Sequence, residues 1–532
     1  RQGGVAISGL RGMGGIGKTA LALVLAERLA GAYPAGQFYF DLCGADAKHQ
    51  TPRTPVEAMR HVLFGYDPTR ALPDDEDGLR ALYLSELSDR PALLLMDNAA
   101  NAEQVKPLIP PNGCLLLVTS RQHFVLPGLA PLNIDTLRED RACELLLKIC
   151  SRIADQADEI AKLCGYLPLA LRVAASTLAE RPAMSPETYV KRLTKNRLEQ
   201  LNEVDAAIAV SEDLLPDERR EHFRALSVFP ESFERSGAAR LLELEPNASD
   251  DELDALVACS LLQWDKESER YNMHDLVRLF ADDRLTGDRR VALQLRHAQV
   301  YCEVLAAADD LYLQGGEKTY EGLSLFDREW GNIQAGFARV SARATVHDQE
   351  ADLCSRYLNA GVYCLRIRQS TDERIAWLEA GVSAAQRLKD APMEASHLSN
   401  LGLIFKRRGD LDEAEKMLRK SLEINEKLGR LEGMASDYCN LGLIFKTRGD
   451  LDEAEKMFRK SLEIDEKLGR LEGMANQNAN LGLIFKTRGD LEEARKLWTK
   501  ARDLFAKIGM PHMVEKVVGW LNELPDEDGD GS

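Results

Sequence analysis

The sequence lacks any apolar run long enough to cross a membrane as a helix. No window of the 532 residues approaches the roughly 20 consecutive apolar residues that a spanning helix needs, and the N-terminus has neither the basic nor the hydrophobic region of a signal peptide. We therefore expect a soluble, cytoplasmic protein with no membrane partner. The chain begins with Arg1 rather than Met, so we expect that a preceding segment, with any effector domain, is missing from it.

Positive charge is also scarce. The sequence has 68 Lys and Arg against 86 Asp and Glu, a net charge of −18, whereas binding to a polyanion requires clustered basic residues. Direct nucleic-acid binding is therefore not expected. The ten cysteines form no CxxC pair and no Cys/His run, which excludes an obvious zinc site and indicates reduced core thiols.

The order of apolar segments predicts several domains. Short apolar strands alternate with helical stretches through residues 1–135, which predicts a parallel α/β sheet covered by helices. Residues 136–204 have a wholly helical pattern. Residues 205–290 combine helices with a predicted hairpin around LLQWDKESERYNM, which suggests a winged helix; with 11 Lys and Arg against 21 Asp and Glu, DNA readout by this module is improbable. Residues 291–354 are predicted to form a helical linker.

The C-terminal third contains a repeat with a period of 40 residues. NLGLIFKRRGDLDEAEKMLRKSLEI begins at Asn400, and close copies begin at Asn440 and Asn480. Each copy predicts two helices joined at a Gly-Asp turn, and such pairs stack into an α-solenoid, here over residues 355–520. The remaining residues, 521–532, are predicted to be an acidic disordered tail.

The strongest chemical motif is the GxxxxGKT loop between the first strand and the first helix. Its glycines allow backbone N–H groups to surround a phosphate, its lysine reaches the β- and γ-phosphates, and its threonine hydroxyl ligates Mg²⁺. The alternative is a fortuitous glycine turn. The candidate residues for binding ADP or ATP are Gly12, Gly14, Gly15, Ile16, Gly17, Lys18, Thr19 and Ala20.

Four residues elsewhere are candidates for the same site. Asp97 ends the strand ALLLMD, where its carboxylate would hold Mg²⁺ through water, unless it is only a turn or helix cap. Arg121 follows the next strand and could sense a γ-phosphate or form a surface ion pair. Pro168 could stack on a purine or mark a helix boundary, and His274 alone is more often structural. Because Asn98 cannot act as a base, hydrolysis should be slow.

In their order along the chain, these segments resemble the NB-ARC module of STAND-class signal-transduction ATPases. The resemblance covers residues 1–290 and is closest to bacterial members, given QFYFDLCG, LLLMDNAANAEQVKPLIP, LLLVTSR, CGYLPLALRVAAS, FRALSVFP and MHDLVRLFA. It implies that Lys18 and Thr19 bind phosphate and Mg²⁺ and that Asp97 binds Mg²⁺. It further implies that Arg121 senses the γ-phosphate, Pro168 contacts adenine and His274 contacts the β-phosphate of ADP. The family's Gly-Arg-Glu segment ahead of the first strand is absent.

The repeats resemble tetratricopeptide repeats of the kinesin-light-chain type, which implies a concave groove for a peptide or protein ligand. The units beginning at Asn400 and Asn440 differ at seven of 40 positions, four of them at 436–439 against 476–479. We predict that these four positions form the first turn of a helix facing the groove, with Asn400, Asn440 and Asn480 as candidate ligand contacts. Alternatively, the near-identity reflects recent duplication and the groove is idle or self-occupied.

Together these features predict a nucleotide-dependent switch that is closed with ADP and that opens and self-associates when ATP replaces ADP and a ligand engages the repeats. Lys18, Asp97 and Arg121 would support at most a slow ATPase. The alternatives are a repeat scaffold that uses nucleotide as a structural brace, or a transcriptional regulator whose effector domain lies upstream.

Overall fold

The computed structural model describes residues 6–44, 52–122, 124, 126, 128–199 and 201–525. The chain divides between Gly336 and Phe337 into an N-terminal unit and a C-terminal unit. It is a multidomain protein with a parallel α/β sheet in the first unit and a helical repeat array in the second, as the sequence predicts.

A five-stranded parallel sheet opens the N-terminal unit. Its strands have the order β2-β3-β4-β1-β5, and helices precede or follow them along the chain. The strands are β1 Ala6–Arg11, β2 Gln37–Asp41, β3 Leu93–Ala99, β4 Leu115–Ser120 and β5 Leu129–Asn133. The helices are α1 Lys18–Leu29, α2 Pro55–Tyr66, α3 Glu76–Asp89 and α4 Ala102–Val105. Strand β1 lies in the interior of the sheet. The loop that follows it emerges at the carboxyl edge, where α/β proteins bind ligands.

Both faces of the central strands are buried, which explains their continuous apolar sequences. On one face, Leu94 and Met96 of β3 pack with Tyr83 of α3 in a large core. On the other face, Leu95 of β3 packs with Ala22 of α1. A strand buried on one face only would alternate polar and apolar residues, so LLLM and LLLV identify the interior of this sheet.

Nine helices and a hairpin follow the sheet within the described part of the N-terminal unit. The helices are α5 Glu139–Ile149, α6 Ala157–Leu163, α7 Pro168–Ala179, α8 Pro186–Leu198, α9 Glu203–Asp213, α10 Asp217–Ala225, α11 Arg235–Leu242, α12 Pro246–Ala258 and α13 Asp275–Asp283. The hairpin comprises β6 Gln263–Asp265 and β7 Arg270–Asn272, which pair antiparallel where the sequence predicts a turn. Two long helices come next, α14 Gly287–Gln314 and α15 Glu317–Ser341.

The hairpin is fixed to the helices around it by a buried ion pair. Arg270 of β7 donates hydrogen bonds to both carboxylate oxygens of Glu329 in α15, and to Ser232. The side chains of Arg270 and Glu329 are only 5% and 4% exposed. Removing one partner of such a pair leaves an uncompensated buried charge, so the hairpin position is strongly specified.

The C-terminal unit is built from antiparallel helices. They are α16 Asp348–Ala360, α17 Val362–Arg368, α18 Thr371–Leu388, α19 Ala391–Arg408, α20 Leu411–Leu428, α21 Leu431–Arg448, α22 Leu451–Leu468, α23 Leu471–Arg488, α24 Leu491–Lys507 and α25 Pro511–Asn522. We call α19, α21, α23 and α25 the A helices and α18, α20, α22 and α24 the B helices. The A helices α19, α21 and α23 each end at a left-handed glycine, such as Gly409 with φ 89°.

Small residues allow close approach of the paired helices. A Cβ atom added at Gly442 in α21 would lie 2.7 Å from the Phe458 ring in α22, and Ala454 is fully buried. The Ser461 hydroxyl donates to the Ala435 carbonyl at 2.8 Å. Side chains of the B helix therefore contact the backbone of the paired A helix.

One prediction about the repeats is wrong. Residues 436–439 do not form the first turn of an A helix, because α21 begins at Leu431, directly after the Gly429 turn. Asp437 and Tyr438 are buried, as are their counterparts Gln477 and Asn478. These variable positions therefore lie mainly inside the array rather than in a groove.

The predicted acidic tail falls mostly outside the described residues, which end at 525. Within the part of the chain that the structure describes, no helix is long and apolar enough to cross a membrane.

Candidate nucleotide site

The loop between β1 and α1 has a backbone that only glycine adopts readily. Gly15 and Gly17 have φ of 76° and 93°, in the left-handed region. Gly17 is the N-cap of α1, so the free N–H groups of the helix face the loop. The Lys18 amine folds back over the loop and donates to the carbonyls of Gly12 and Met13, both at 2.8 Å. A loop of this geometry could hold a phosphate group, with the Lys18 amine as a cation at its mouth.

Two helix starts from later in the chain contact this loop. A Cβ atom at Gly14 would lie 3.1 Å from a methyl group of Leu276 in α13, and one at Gly15 would lie 3.3 Å from Cβ of Leu169 in α7. The Leu169 N–H also donates to the Gly15 carbonyl at 3.3 Å. The loop is therefore covered by Leu169, which directly follows the predicted Pro168, and by Leu276, two residues after the predicted His274.

Asp97 faces the loop from the end of β3. Its carboxylate accepts hydrogen bonds from Thr19 at 2.9 and 3.0 Å, from Tyr39 at 3.3 Å and from Thr119. Burial raises the pKa of Asp97, although the hydroxyl donors oppose this effect. Because its hydrogen-bond partners are hydroxyl groups, this buried carboxylate is well suited to give up those hydrogen bonds and bind a cation instead.

These donors fit Mg²⁺, which prefers carboxylate, hydroxyl and phosphate oxygens. Thr19 and Asp97 would hold the ion, which would neutralise phosphate charge when bound. In the described residues, no group of three or more His, Cys, Asp or Glu is placed to hold a metal ion. A magnesium ion here would consequently depend on the phosphates of a bound nucleotide for further ligands.

Arg121 forms an ion pair with the first residue of α13. Its Nη2 donates to Oδ2 of Asp275 at 3.1 Å, and Arg278 donates to Oδ1 of the same carboxylate at 3.0 Å. The pKa of Asp275 is lowered because Arg278, His274 and Arg121 together outweigh the effect of burial. The guanidinium of Arg121 is thus tied to α13 rather than extended towards the loop.

His274 is the N-cap of α13, and its Nδ1 accepts the N–H of Leu276 at 3.2 Å. Burial, with the positive charges of Arg121 and Lys18 nearby, lowers its pKa to about 4. The ring is therefore neutral at pH 7. A neutral imidazole with one nitrogen committed to the backbone retains one nitrogen for a ligand.

The site combines opposing charges at short range. Burial and the charge of Arg121 lower the pKa of Lys18 to about 8, against the opposite influence of Asp97 and Asp275. Asp41 ends β2 directly opposite Asp97 in the sheet, and burial together with these two carboxylates raises its pKa to about 6. Bound phosphate and magnesium would relieve both repulsions.

The structure brings most of the predicted site residues to one edge of the sheet. The loop, Asp97, Arg121 and His274 are connected through the contacts described above. Pro168 is the first residue of α7, next to Leu169, whereas Ala20 of α1 is exposed. Asn400, Asn440 and Asn480 lie on three successive A helices; the first is exposed and the other two are partly buried. Binding roles for all these residues remain predictions.

The sequence analysis did not assign roles to Tyr39, Asp41, Thr119 or Asp275. Asp41 and Thr119 stand at or near the ends of β2 and β4, the neighbours of β3, so the rule that parallel strands end at one edge identifies their position, whereas Tyr39 lies in the middle of β2. Asp275 lies 154 residues from Arg121. Only the docking of α13 brings the two together, and no local pattern signals it.

Comparison with known proteins gives related sequences over most of the chain. The tetratricopeptide repeat family matches residues 359–427 and 393–467. The regulatory protein AfsR of Streptomyces griseus is 31% identical over 462 residues, which cover 80% of this chain and 46% of that protein. AfsR of Streptomyces coelicolor is 37% identical over 291 residues, covering 52% of this chain and 29% of that protein. A disease resistance protein of Arabidopsis thaliana is 24% identical over 309 residues, covering 51% and 31%.

The predicted resemblance to STAND-class ATPases with tetratricopeptide repeats is confirmed. The matched part of the chain spans less than half the length of either AfsR protein. Among solved structures, the STAND protein with a tetratricopeptide repeat sensor from Pyrococcus horikoshii aligns with a TM-score of 0.44 at 16% identity, covering 97% of this chain and 83% of that one.

Proposed function

We propose that this protein is a nucleotide-dependent signalling switch, closed with ADP and opened when ATP replaces it. The observation that supports this proposal best is that two helices cover the loop between β1 and α1, which we call the phosphate loop. Leu169 and Leu276 contact adjacent glycines of the loop from two different helices. A nucleotide beneath that cover could leave or be exchanged only after α7 or α13 moves, which couples nucleotide identity to the arrangement of the N-terminal unit.

The polar and charged residues of the site would favour the closed form with ADP and the open form with ATP. In the closed arrangement His274 is near the loop and would meet the β-phosphate of ADP, while Pro168 would meet the adenine. Arg121 is held by Asp275. A γ-phosphate would compete for Arg121 with that carboxylate, so ATP would weaken the attachment of α13 and favour an open, self-associating form.

Turnover would be slow and would reset the switch. Asn98 follows Asp97 with φ of 57°, and its N–H donates to Thr119 at 2.9 Å. An amide side chain at that position cannot accept a proton from water. Lys18, Asp97 and Arg121 would bind and polarise ATP without supplying a base.

The repeat array would be the sensor, and the output would be regulatory, as the names of the AfsR relatives suggest. A peptide or protein ligand would bind across the A helices at Asn400, Asn440 and Asn480, in the cytoplasm. Binding there needs differential affinity of several kcal/mol for the open form to change its population decisively.

The test is denaturing extraction of nucleotide from freshly purified protein, combined with light-scattering mass on the same sample. The proposal predicts near-stoichiometric ADP on a monomer and a larger assembly after exchange to ATP. Lys18→Ala should lose the nucleotide and all ATP-induced assembly, whereas Lys106→Ala, at an exposed lysine of the same domain, should lose neither.

The same variant would distinguish the alternative function. If Lys18→Ala lowered stability but left ligand-dependent signalling intact, nucleotide would be a structural brace and the repeats a scaffold. A wild-type monomer that never assembles with ATP would also contradict the switch.

A further inference from the structure

The repeats are nearly identical in sequence, yet each boundary between consecutive repeats contains a different buried pair of side chains. The B helix of one repeat packs against the A helix of the next, and two positions 12 residues apart meet there. From the first boundary to the last, the pairs are Ala385 with His397, Asn425 with Asp437, Asp465 with Gln477, and Phe505 with Val517. All eight residues are at most 3% exposed.

At the second boundary an amide on the B helix meets a carboxylate on the A helix. Asn425 donates from Nδ2 to Oδ2 of Asp437 at 2.8 Å, and the Ser421 hydroxyl lies 2.8 Å from the same oxygen. Gly433 provides the space, because a Cβ atom there would lie 2.6 Å from the Asn425 amide. Burial nevertheless raises the pKa of Asp437.

At the third boundary the same chemistry is reversed. The carboxylate is now on the B helix, at Asp465, and the amide is on the A helix, at Gln477; burial raises the pKa of Asp465, whereas Arg470 and the nearby Gln477 amide act to lower it. The surroundings repeat: Ser461 and Gly473 replace Ser421 and Gly433 one for one. Two of the seven differences between these repeats therefore compensate for each other.

The outer boundaries have no such pair. At the first boundary the two positions are the buried Ala385 and His397, with the His397 ring against Gly381, and at the last Phe505 and Val517 lie in one apolar cluster. A B helix matched with the wrong A helix would consequently meet the wrong chemistry. Asp465 against Asp437 would bury two carboxylates, Asn425 against Gln477 would lose the charge-assisted hydrogen bond to a carboxylate, and Asp465 against Val517 would face an apolar side chain.

We propose that these pairs specify the order in which the near-identical repeats pack, so that each B helix accepts only the A helix that follows it. Most of each repeat supplies little discrimination, because a mispaired helix would present much the same apolar surface; Tyr438, which donates to Glu426 of the preceding B helix and has Asn478 as its counterpart, is a further difference at the second boundary. A single buried polar residue that fixes the alignment of otherwise equivalent helices is an established device in coiled coils.

The first experiment tests whether each pair is coupled, by denaturant unfolding of the full chain followed through Trp377, Trp498 and Trp520, all in the C-terminal unit. Asn425→Asp alone and Asp437→Gln alone should each lower the folding equilibrium constant by about tenfold or more. The double variant Asn425→Asp with Asp437→Gln installs the third-boundary pair at the second boundary and should recover most of the loss. If the two losses simply add in the double variant, the pairs are independent and the proposal is wrong.

The second experiment separates packing order from stability, by refolding the full chain from denaturant and measuring the monomer fraction by light scattering. The double variant has the same pair at both central boundaries and should yield several-fold more misassembled or exchanged oligomer than wild type. A quadruple variant that also carries Asp465→Asn and Gln477→Asp again has two different pairs, in reversed order, and should refold like wild type. Equal monomer fractions for the double and quadruple variants would overturn the proposal. The two variants differ in whether the pairs at the two central boundaries are the same or different.

Discussion

The ion pair between Arg121 and Asp275 predicts a specific effect of Asp275→Asn. This change removes the charge that holds Arg121 but keeps the size and one oxygen acceptor of the side chain, so no cavity forms. We expect the closed form to be weakened, ADP to be released faster and the ATP-bound assembly to be populated more readily.

The magnitude follows from the geometry. The two groups approach to 3.1 Å, which is a good charge-assisted hydrogen bond, but their side chains are 25% and 28% exposed. Solvent screening therefore reduces the effect below that of a buried pair, to about 1.4 kcal/mol, or roughly a tenfold change in an equilibrium constant. The rate of ADP release should rise by a similar factor.

The assay is displacement of a fluorescent ADP analogue by excess unlabelled nucleotide, with light-scattering mass in ADP and in ATP. Arg121→Gln removes the same ion pair from the other side and should also release ADP faster, yet it should not assemble with ATP, because the γ-phosphate contact is lost too. Asp251→Asn, at an exposed carboxylate in α12, serves as the matched control. An Asp275→Asn protein with release within twofold of wild type would refute the reasoning.

Three further predictions concern stability. Because the pKa of His274 is lowered to about 4, the folded state binds fewer protons than the unfolded state between roughly pH 4 and 6.5. The contribution of His274 to stability therefore falls as the pH falls. In urea titrations, the difference in stability between nucleotide-free wild type and His274→Asn should be smaller at pH 5 than at pH 7. Gly442→Ala should lower stability by about 1–3 kcal/mol, because its Cβ would lie 2.7 Å from the Phe458 ring, whereas Gly519→Ala, with open space around it, should be neutral or stabilising. Trp498→Ala should cost about 3–5 kcal/mol, since Trp498 is fully buried and donates to the Ala479 carbonyl, and a calorimetric scan that left the second unit's transition unmoved would contradict this.

The sequence predicts the parts of the site that are local or follow from sheet geometry. The phosphate loop is contiguous, so its motif reports its conformation directly. Asp97 is 78 residues from Thr19, but Asp97 stands near the carboxyl end of β3 and Thr19 at the start of the helix that follows β1, so both lie at the same edge of the sheet and meet.

Contacts that depend on how separate helices dock could not be predicted. Arg121 and Asp275 meet only because α13 packs on the phosphate loop, and nothing in either segment encodes that approach. The error about residues 436–439 has a different cause. The prediction places the first turn of the helix just before the repeated NLG, whereas α21 begins at Leu431, after the Gly429 turn, so residues expected in a groove lie mainly inside the array.

The two units differ in how far apart in sequence their partners lie, and this has a consequence for the time course of folding. In the sheet, β1 pairs with β4, so Ala6 must find Leu115 before the central strand is complete. In the repeat array, every helix packs on its immediate neighbours. Folding rates fall as contacting residues become more distant along the chain. During synthesis and after dilution from denaturant, we therefore expect the repeats to form within milliseconds of becoming available, while the five-stranded parallel sheet closes in a distinct, slower phase.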